Sequence, residues 1–465
     1  MASATLQDLQ QTIGGRLLTP KTRTPDEQGT PLGKIVTDSR LVEPGDVFWA
    51  LRGLQHDGAD FAQEAFNRKA AGVVVQKTVK APSDCWVLVV DDTQRALRNW
   101  AAWRRRQFKG TLIAVTGSVG KTTTRQMIHA VLRTRLKGAA SPRNYNNHLG
   151  VPLSMLAIEP DHDYAVLELG ANSPGEIAAL ARLCAPKVAV ITRVGDAHLG
   201  GFGSRQGVAE AKTELLAALP ADGHAVLGAD PWLRRAALNC PAKVTWIGCG
   251  DECELTAIDL KSEAGKLSFR LADCGFSVPV WGRHHLTAVL AAVAVGRIMD
   301  FGLDEIARAL AAFEPLPMRC EVVEARGATI INDTYNSSPT AMQAALELLR
   351  DFDTAGRRIV VCGDMAELGE QAPLLHRQLG GDVVTRGNAD LLLACGDWAR
   401  DVVAGARAAG MPRARAVPCQ TPDDALPYLG QAIQPGDTVL IKGSRIMAME
   451  RLVEALRQYP HRRSA

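Results

Sequence analysis

Residues 114–124 read Ala-Val-Thr-Gly-Ser-Val-Gly-Lys-Thr-Thr-Thr, directly after an apolar strand-like run and directly before a helical stretch. Gly117 and Gly120 let the backbone turn, so that successive N–H groups and the helix N-terminus face one anion. Lys121 is placed to reach terminal phosphates, and Thr122 offers an oxygen to Mg²⁺. The stretch therefore predicts an α/β fold with a phosphate-binding loop for a nucleoside triphosphate. The predicted nucleotide contacts of the loop are Gly117, Ser118, Val119, Gly120, Lys121, Thr122 and Thr123.

The composition is that of a large and nearly neutral protein. The 465 residues are 46% hydrophobic, which is enough for roughly three domains of typical size. Lys and Arg number 53 against 50 Asp and Glu, and this balance argues against a polyanion-binding surface. No apolar run reaches the ~18 residues that would span a bilayer, and Gln7 and Asp8 stand where a signal peptide needs an apolar core. We expect a cytoplasmic protein.

The ten cysteines are scattered without a framework spacing, as is typical of reduced thiols. Cys240, Cys249, Cys253 and Cys274 form a loose group, but it contains no Cys-x-x-Cys pair. Their spacing therefore does not favour a zinc site.

An alternation of short strands and helices begins near Lys109 and restarts after Met318. Such alternation predicts parallel sheets covered by helices. Before Lys109, short strands and turn signals predict a smaller α/β domain, and the segment 314–317, Glu-Pro-Leu-Pro, separates the two later series. We therefore predict three domains. They cover residues 1–108, 109–314 and 315–465. The predicted strands include 73–75, 86–90, 111–115, 164–169, 188–192, 329–332, 358–362, 390–394 and 438–442, and the predicted helices include 122–135, 174–182, 207–219, 286–299 and 340–349.

Two polar residues come at or after the ends of predicted strands. Glu168 follows the strand residues 164–167, so its carboxylate would lie at the sheet edge where ligands bind in open α/β sheets. Its carboxylate suits the Mg²⁺ that bridges nucleotide phosphates, the alternative being a surface carboxylate that caps the next turn. His198 follows the strand 188–192, where imidazole can bind a metal or hold a proton, or be merely structural. Lys212 stands among glutamates, and its spacing alone indicates a helix-surface lysine.

Several segments resemble the Mur ligases, a family of ATP-dependent enzymes that form amide bonds in peptidoglycan synthesis. The loop is the shorter Gly-x-x-Gly-Lys-Thr variant, with Val115 where the usual loop has glycine. The resemblance extends over nearly the whole chain. The matching segments are 37–40, 44–48, 116–124, 144–152, 167–171, 197–198, 211–214, 333–339, 363–369 and 442–445.

The resemblance implies an N-terminal domain for a UDP-sugar peptide, a central P-loop ATPase domain with a mainly parallel sheet, and a C-terminal Rossmann-like domain that closes over ATP. The segments 335–339 and 363–369 resemble the member that joins D-alanyl-D-alanine to UDP-N-acetylmuramoyl-tripeptide. The implied reaction passes through an acyl phosphate. It gives UDP-N-acetylmuramoyl-pentapeptide, ADP and phosphate.

The resemblance also implies roles for individual residues. Thr122 and Glu168 would hold the phosphate-bridging Mg²⁺, and His198 would hold a second Mg²⁺ together with Lys212, which is carbamylated by CO₂ in the family. Lys121, Glu168, His198 and Lys212 would be catalytic. The remaining implied contacts are Arg319, Asp333 and Asn336 for the nucleotide, and Ser39, Arg40, Asn144 and Asn147 for the UDP-substrate.

One segment departs from the family pattern. Residues 282–288 resemble a stretch near the adenine that usually reads Gly-x-His-Asn-x-x-Asn, but His285 and Ala288 replace both asparagines. His285 could still bond to an adenine nitrogen. We therefore expect a loosened preference for ATP over GTP.

Two other functions remain open at this point. One is another amide ligase of the same superfamily, such as a folylpolyglutamate synthetase, and the other is a regulatory P-loop ATPase that binds a partner protein. The sequence does not identify the third residue of the acceptor peptide, diaminopimelate or lysine. A monomer is the expectation that the family gives.

Overall fold

The computed structural model describes residues 4–18, 31–53 and 55–458. Contacts between Cα atoms divide the chain into two compact units. The first comprises Met1–Ala114, Arg135–Gly170 and Ala178–Lys187, and the second comprises Val115–Thr134, Ala171–Ile177 and Val188–Ala465.

The first unit opens with a five-stranded sheet. Its strand order is β1-β5-β4-β3-β2, with β2 to β5 parallel and β1 antiparallel at one edge. The elements are α1 (Leu6–Ile13), β1 (Arg16–Leu18), β2 (Ile35–Val36), β3 (Val47–Trp49), α2 (Ala62–Asn67), β4 (Gly72–Val75), β5 (Trp86–Val89) and α3 (Thr93–Gln107).

Helices cover both faces of this sheet. Since successive side chains of a strand point to opposite faces, each strand buries side chains on both sides. Phe48 and Val73 pack with α2 on one face. Trp49 and Val74 pack with α1 and α3 on the other. The sequence runs of the strands are therefore continuously apolar.

The next elements lead from the phosphate loop into a parallel sheet. In the first unit β7 pairs in parallel with β8, and in the second β10 lies between β9 and β11, with β12 beside β11. The bounds are β6 (Thr111–Thr116), α4 (Lys121–Leu132), β7 (Gly138–Ala140), α5 (Gly150–Leu156), β8 (Tyr164–Glu168), α6 (Glu176–Cys184), β9 (Val188–Ile191), α7 (Leu199–Phe202), α8 (Arg205–Thr213), β10 (His224–Gly228), α9 (Pro231–Ala237), β11 (Lys243–Gly248) and β12 (Leu255–Thr256).

A three-stranded antiparallel sheet follows that the sequence did not predict. It consists of β13 (Ile258–Glu263), β14 (Lys266–Leu271) and β15 (Cys274–Val278). Strands β14 and β15 bury alternate residues and β13 buries none, so none of the three has a continuous apolar run. Helices α10 (Leu286–Ile298) and α11 (Leu303–Ala311) come next, and the small residues of α10 let it pack closely against α4.

The C-terminal part of the second unit is a six-stranded sheet of order β16-β17-β21-β18-β19-β20. All its neighbours are parallel except β16 and β17. The predicted second α/β series is thereby confirmed. Its elements are β16 (Glu321–Ala325), β17 (Ala328–Asp333), α12 (Pro339–Asp351), β18 (Arg358–Cys362), α13 (Ala372–Thr385), β19 (Leu391–Cys395), α14 (Ala399–Ala408), β20 (Ala416–Cys419), α15 (Pro422–Ala432), β21 (Thr438–Lys442) and α16 (Glu450–Gln458).

The predicted helix 207–219 is wrong in extent. Helix α8 ends at Thr213, and a separate 3₁₀ turn covers Leu216–Ala218. The Thr213 hydroxyl donates to the carbonyls of Ala209 and Glu210, a local bond that competes with continued helix. Within the described ranges, no helix has the length and apolar character needed to cross a membrane.

Candidate functional site

The phosphate loop joins β6 to α4 through two glycines with positive φ. Gly117 has φ +142° and Gly120, the N-cap of α4, has φ +82°. A Cβ atom on Gly117 would lie 2.1 Å from Oγ1 of Thr192, so the close approach of these two segments requires glycine. The predicted loop conformation follows from the glycine spacing.

The segment that follows β9 holds the loop in place. The hydroxyl of Thr192 donates to the carbonyl of Val119 at 2.6 Å. Ser118 Oγ accepts from the N–H of Gly195 at 2.9 Å, and the Ser118 N–H donates to the carbonyl of Arg193 at 2.8 Å. Thr192 is therefore a supporting residue that the sequence did not identify, since a threonine at a strand end carries no special signal.

Lys121 lies over the loop that it follows. Its ammonium donates to the carbonyl of Gly117 at 2.9 Å and to that of Ser118 at 3.4 Å. The positive charge is thus placed where the glycine turn presents its N–H groups, which favours an anion there.

A residue from the C-terminal part of the chain reaches the same loop. The guanidinium of Arg319 donates to the hydroxyl of Thr122 at 3.0 Å, and it lies 4.0 Å from the ring centroid of Tyr335. The stacking fixes the plane of the guanidinium, so that its N–H groups point to the start of α4.

His285 lines a small, mainly apolar cavity beside this contact. It is 9% exposed and shares the cavity with Thr123 and Arg319. Burial holds the pKa of His285 well below its usual value, so the ring is neutral and can both donate and accept one hydrogen bond. Of the predicted nucleotide contacts, the loop, His285 and Arg319 are therefore brought together.

Asp333 and Asn336 are tied to a lysine for which the sequence suggested no role. The ammonium of Lys442 donates to a carboxylate oxygen of Asp333 at 2.6 Å and to the backbone carbonyl of Asn336 at 2.8 Å. Lys442 is 2% exposed, so this ion pair is desolvated. Its effect is to fix the turn after β17.

His198 has left-handed backbone geometry, with φ +57°, at the start of α7. Its Nδ1 contacts the carboxylate of Glu367, and the backbone carbonyl of Glu367 accepts from the Gly200 N–H at 2.9 Å. The hydrogen bond from His198 lowers the pKa of Glu367. A carboxylate on Nδ1 selects the tautomer whose Nε2 carries a lone pair.

Lys212 is buried in α8, with 1% exposure, so the interpretation as a helix-surface lysine is wrong. Its ammonium donates to the carbonyl of Ala171 at 3.3 Å and lies 5.2 Å from the ring centroid of Phe202. Burial lowers its pKa to about 7, and the positive charge of Lys121 contributes to the same shift. A substantial fraction of this amine is neutral at neutral pH.

Glu168, the last residue of β8, is described within the first unit. It is 1% exposed, so the alternative of a surface carboxylate is wrong. Its Oε1 accepts from the side chain of Asn146 at 2.9 Å, and its N–H donates to the Ser141 hydroxyl at 3.1 Å. Asn146 is thus a further neighbour of Glu168, and the sequence suggested no role for it.

The four residues predicted to contact the UDP-substrate also lie in the first unit. Ser39 donates to Glu64, and Arg40 is exposed beside Asp38, which accepts from it at 2.7 Å. Asn147 instead accepts from the N–H groups of Leu149 and Gly150, a role at the start of α5. Asn144 is exposed.

Three family models match successive parts of the chain. Residues 33–98 match the model described as "Mur ligase family, catalytic domain". Residues 115–296 match the "Mur ligase middle domain", and residues 318–445 match the "Mur ligase, glutamate ligase domain".

Relatives are similar over their full length. A UDP-N-acetylmuramoyl-tripeptide–D-alanyl-D-alanine ligase of Bacillus subtilis (strain 168) is 32% identical, with 99% of this chain and 100% of the relative covered. The protein of that name from Escherichia coli (strain K12) is 34% identical, with 98% and 99% covered.

Solved structures of MurF ligases are also similar to this chain over most of its length. The crystal structure of MurF from Acinetobacter baumannii has a TM-score of 0.88 at 31% identity, covering 99% of this chain and 100% of its own. MurF ligase from Thermotoga maritima in complex with ADP has a TM-score of 0.80 at 29% identity, covering 92% and 97%.

Proposed function

The chain belongs to the Mur ligase family, and we propose that it joins D-alanyl-D-alanine to UDP-N-acetylmuramoyl-tripeptide with cleavage of ATP. The resemblance drawn from the sequence motifs is confirmed. The protein is an ATP-dependent amide ligase of peptidoglycan precursor synthesis, whose product is UDP-N-acetylmuramoyl-pentapeptide. The observation that carries the mechanism is the hydrogen bond from Arg319 to Thr122, which brings the C-terminal part of the chain to the nucleotide loop.

The first chemical difficulty is electrostatic. The tripeptide carboxylate must attack the γ-phosphate of ATP, and two like unit charges about 4 Å apart repel by about 4 kcal/mol at an effective dielectric of 20. Left uncompensated, this repulsion costs roughly a thousandfold in rate. In the proposed mechanism the cations of Lys121 and Arg319 offset it and stabilise the transferring phosphoryl group.

The second step forms the amide. Phosphoryl transfer gives an acyl phosphate and ADP, and the free amine of D-alanyl-D-alanine then attacks the acyl carbon. Phosphate leaves with the electron pair of the broken C–O bond, and the amine loses its proton. The contacts of Arg319 with Thr122 and of Glu367 with His198 support a closed arrangement, which would keep water from the acyl phosphate.

The side chains that the resemblance assigns to Mg²⁺ each carry a suitable donor atom. Thr122 and Glu168 supply oxygen atoms, which this hard cation prefers, and His198 supplies an imidazole whose tautomer Glu367 selects. When bound, Mg²⁺ neutralises phosphate charge and polarises the phosphoryl oxygens. As the resemblance implies, Thr122 and Glu168 would hold one Mg²⁺, and His198 would hold a second together with Lys212.

Carbamylation of Lys212 belongs to the same proposal. A neutral amine attacks CO₂ to give a carbamate and a proton, whereas an ammonium has no lone pair for this step. The lowered pKa of Lys212, about 7, makes that neutral form available. The resulting anion would suit a metal ion that a bare ammonium repels.

The other residue roles and the domain limits are also proposals. Asp333 and Asn336 are assigned to the nucleotide side of the C-terminal domain, where Lys442 orients both. Ser39, Arg40, Asn144 and Asn147 are assigned to the UDP-substrate. The limits 1–108, 109–314 and 315–465 are supported by the separation of the three matched ranges. The cytoplasmic location and the monomeric state stay predictions.

The test is phosphate release by the purified protein with ATP, Mg²⁺, UDP-N-acetylmuramoyl-tripeptide and D-alanyl-D-alanine, omitting each in turn. We expect release to require all four and to yield the UDP-pentapeptide. Release that ignores D-alanyl-D-alanine would favour another amide ligase or a regulatory ATPase. Acceptors with diaminopimelate or lysine at the third position would identify the natural one.

A further inference from the structure

Two segments that are far apart in sequence bring three metal-binding side chains together. His284 and His285 lie in the 3₁₀ turn before α10, and Cys320 lies in the segment before β16. The ligand atoms of the three residues all lie within 4.8 Å of one another. Nε2 of His284 is 3.6 Å from Sγ of Cys320.

The distance between Nε2 of His284 and Sγ of Cys320 fits two ligands of one metal ion. In a tetrahedral zinc site, with Zn–S near 2.3 Å and Zn–N near 2.05 Å, a sulfur and a nitrogen ligand are about 3.6 Å apart. Nε2 of His284 and Sγ of Cys320 are already this far apart. Only the remaining ligand distances, up to 4.8 Å, must contract by rotation of side chains.

Two of the three side chains are already in the protonation state that binds a metal ion. Burial lowers the pKa of His284 to about 4, so both imidazoles are neutral and have a lone pair to donate. Burial also raises the pKa of Cys320, which therefore enters as a thiol. Binding forms a metal–sulfur bond and breaks the S–H bond, and the proton is released to solvent.

The surrounding charges are mixed. The carboxylate of Asp333 accepts from the Cys320 N–H at 3.3 Å and favours a cation, whereas the positive charges of Lys442, Arg193 and Arg319 oppose one. A thiolate ligand and two imidazoles select Zn²⁺ or a similar soft ion over Mg²⁺, which prefers oxygen.

The cluster adjoins the cavity at the phosphate loop. His285 and Cys320 line this cavity together with Thr123 and Arg319. An ion held by three protein ligands keeps a fourth position for water, and that position would face the cavity. The ion and the nucleotide base would then compete for His285.

We propose that His284, His285 and Cys320 form a Zn²⁺-type site, distinct from the Mg²⁺ ligands, whose occupancy weakens nucleotide binding. The competition part rests on the proposed ATP-dependent function, whereas the metal site itself does not.

The test uses Co²⁺ as a spectroscopic probe of the metal-free, reduced full-length protein. We expect one equivalent of Co²⁺ to give a thiolate-to-cobalt charge-transfer band and the intense visible bands of a tetrahedral ion. Cobalt at an oxygen-rich Mg²⁺ site would lack the thiolate band. The titration needs no substrate, so its result is independent of ligase activity.

Cys320→Ser and His285→Asn should each weaken Co²⁺ binding at least about tenfold, the smallest loss that removing even a hydrogen-bond partner of a metal ligand typically causes. Cys249→Ser, which removes an exposed thiol, is the matched control and should change nothing. His285→Asn provides a second variant if Cys320→Ser fails to fold. No thiolate band in the folded parent, or an undiminished band in folded Cys320→Ser, would overturn the site.

The competition is tested by ADP binding with and without one equivalent of Zn²⁺. We expect Zn²⁺ to weaken ADP binding to the parent and not to Cys320→Ser, which also controls for complexes of Zn²⁺ with ADP. Equal weakening in both proteins would overturn the competition while leaving the cobalt result intact.

Discussion

The guanidinium of Arg319 donates a hydrogen bond to the hydroxyl of Thr122 at 3.0 Å, across 197 positions of sequence. This bond joins the segment before the C-terminal sheet to the helix that begins at the phosphate loop. It makes the position of the Arg319 cation depend on the packing of the C-terminal part of the chain.

Replacing Arg319 tests this dependence. Arg319→Lys keeps the charge but loses the planar stacking on Tyr335 and the fixed direction of the N–H groups. We expect kcat for phosphate release to fall by roughly 10- to 100-fold, because a charged hydrogen bond is worth about 1.5–3 kcal/mol. Arg386→Ala, which removes a surface guanidinium paired with Glu347 and Asp382, should leave kcat unchanged. Equal kcat for Arg319→Lys and the parent would contradict the role.

Gly117→Ala should remove nucleotide binding. The added Cβ would lie 2.1 Å from the Thr192 hydroxyl, and φ is +142°, so the loop cannot keep its shape. ADP affinity measured by calorimetry should fall at least about 100-fold, which corresponds to roughly 3 kcal/mol. Gly381→Ala, at an open position within α13, is the matched control and should retain affinity. Tight ADP binding by folded Gly117→Ala would refute the loop assignment.

Lys212→Met should raise stability while abolishing activity. The folded-state pKa of Lys212 is about 7, below its ordinary 10.5, so the unfolded chain binds more protons between these pH values. The free-energy cost of burying the charged amine of Lys212 therefore acts in full below pH 7 and disappears as the pH rises toward 10.5. In CO₂-free buffer at pH 7 we expect a gain of about 1–3 kcal/mol in unfolding free energy, shrinking at higher pH.

Urea unfolding across pH measures this gain, and Lys266→Met, at an exposed position, should show none. Labelled bicarbonate followed by ¹³C NMR should give a carbamate signal that the Lys212 variant lacks. Full ligase activity in Lys212→Met would remove the residue from the mechanism. Rescue of Lys212→Ala by short-chain carboxylates would support the carbamate.

Glu367 is a positioning residue for His198. Glu367→Ala removes the carboxylate that contacts Nδ1, so the imidazole loses its fixed tautomer. We expect the Mg²⁺ concentration for half-maximal activity to rise by roughly 10- to 100-fold, with a smaller rise for Glu367→Gln, which keeps an acceptor. Glu370→Ala, at an exposed neighbouring position, is the control. An unchanged Mg²⁺ requirement in Glu367→Ala would show that the contact is only structural.

His285 bears on the choice of nucleotide. Its neutral ring in the cavity beside Thr123 donates at one nitrogen and accepts at the other, on different edges of the ring, so only one of them can face a base, whereas the amide of asparagine has its donor and acceptor side by side. We expect His285→Asn to increase the preference for ATP over GTP by roughly fivefold, the value of about one net hydrogen bond. The ratio of kcat/KM for the two nucleotides measures it. Strict ATP selectivity in the parent, unchanged in the variant, would refute the loosened preference.

Local patterns were sufficient for the α/β architecture. Glycine spacing at the phosphate loop fixes the turn, and the short apolar runs of β6, β8 and β9 form the buried strands that their length and composition predict. The antiparallel strands β13 to β15 were missed because β13 buries none of its residues, and because β14 and β15 alternate over short segments without the continuous apolar runs that marked the predicted strands.

What the sequence determined by itself is the chemistry that each segment carries: a loop for phosphates, a carboxylate at a strand end, and motifs of an amide ligase. The tertiary structure decided the environment. It buried Lys212, placed Arg319 on Thr122 and brought Cys320 to His284. The physical reason is the distance along the chain over which each property is set. Backbone turns and strand periodicity depend on neighbouring residues, whereas burial, pKa and contacts between distant segments depend on how the whole chain packs.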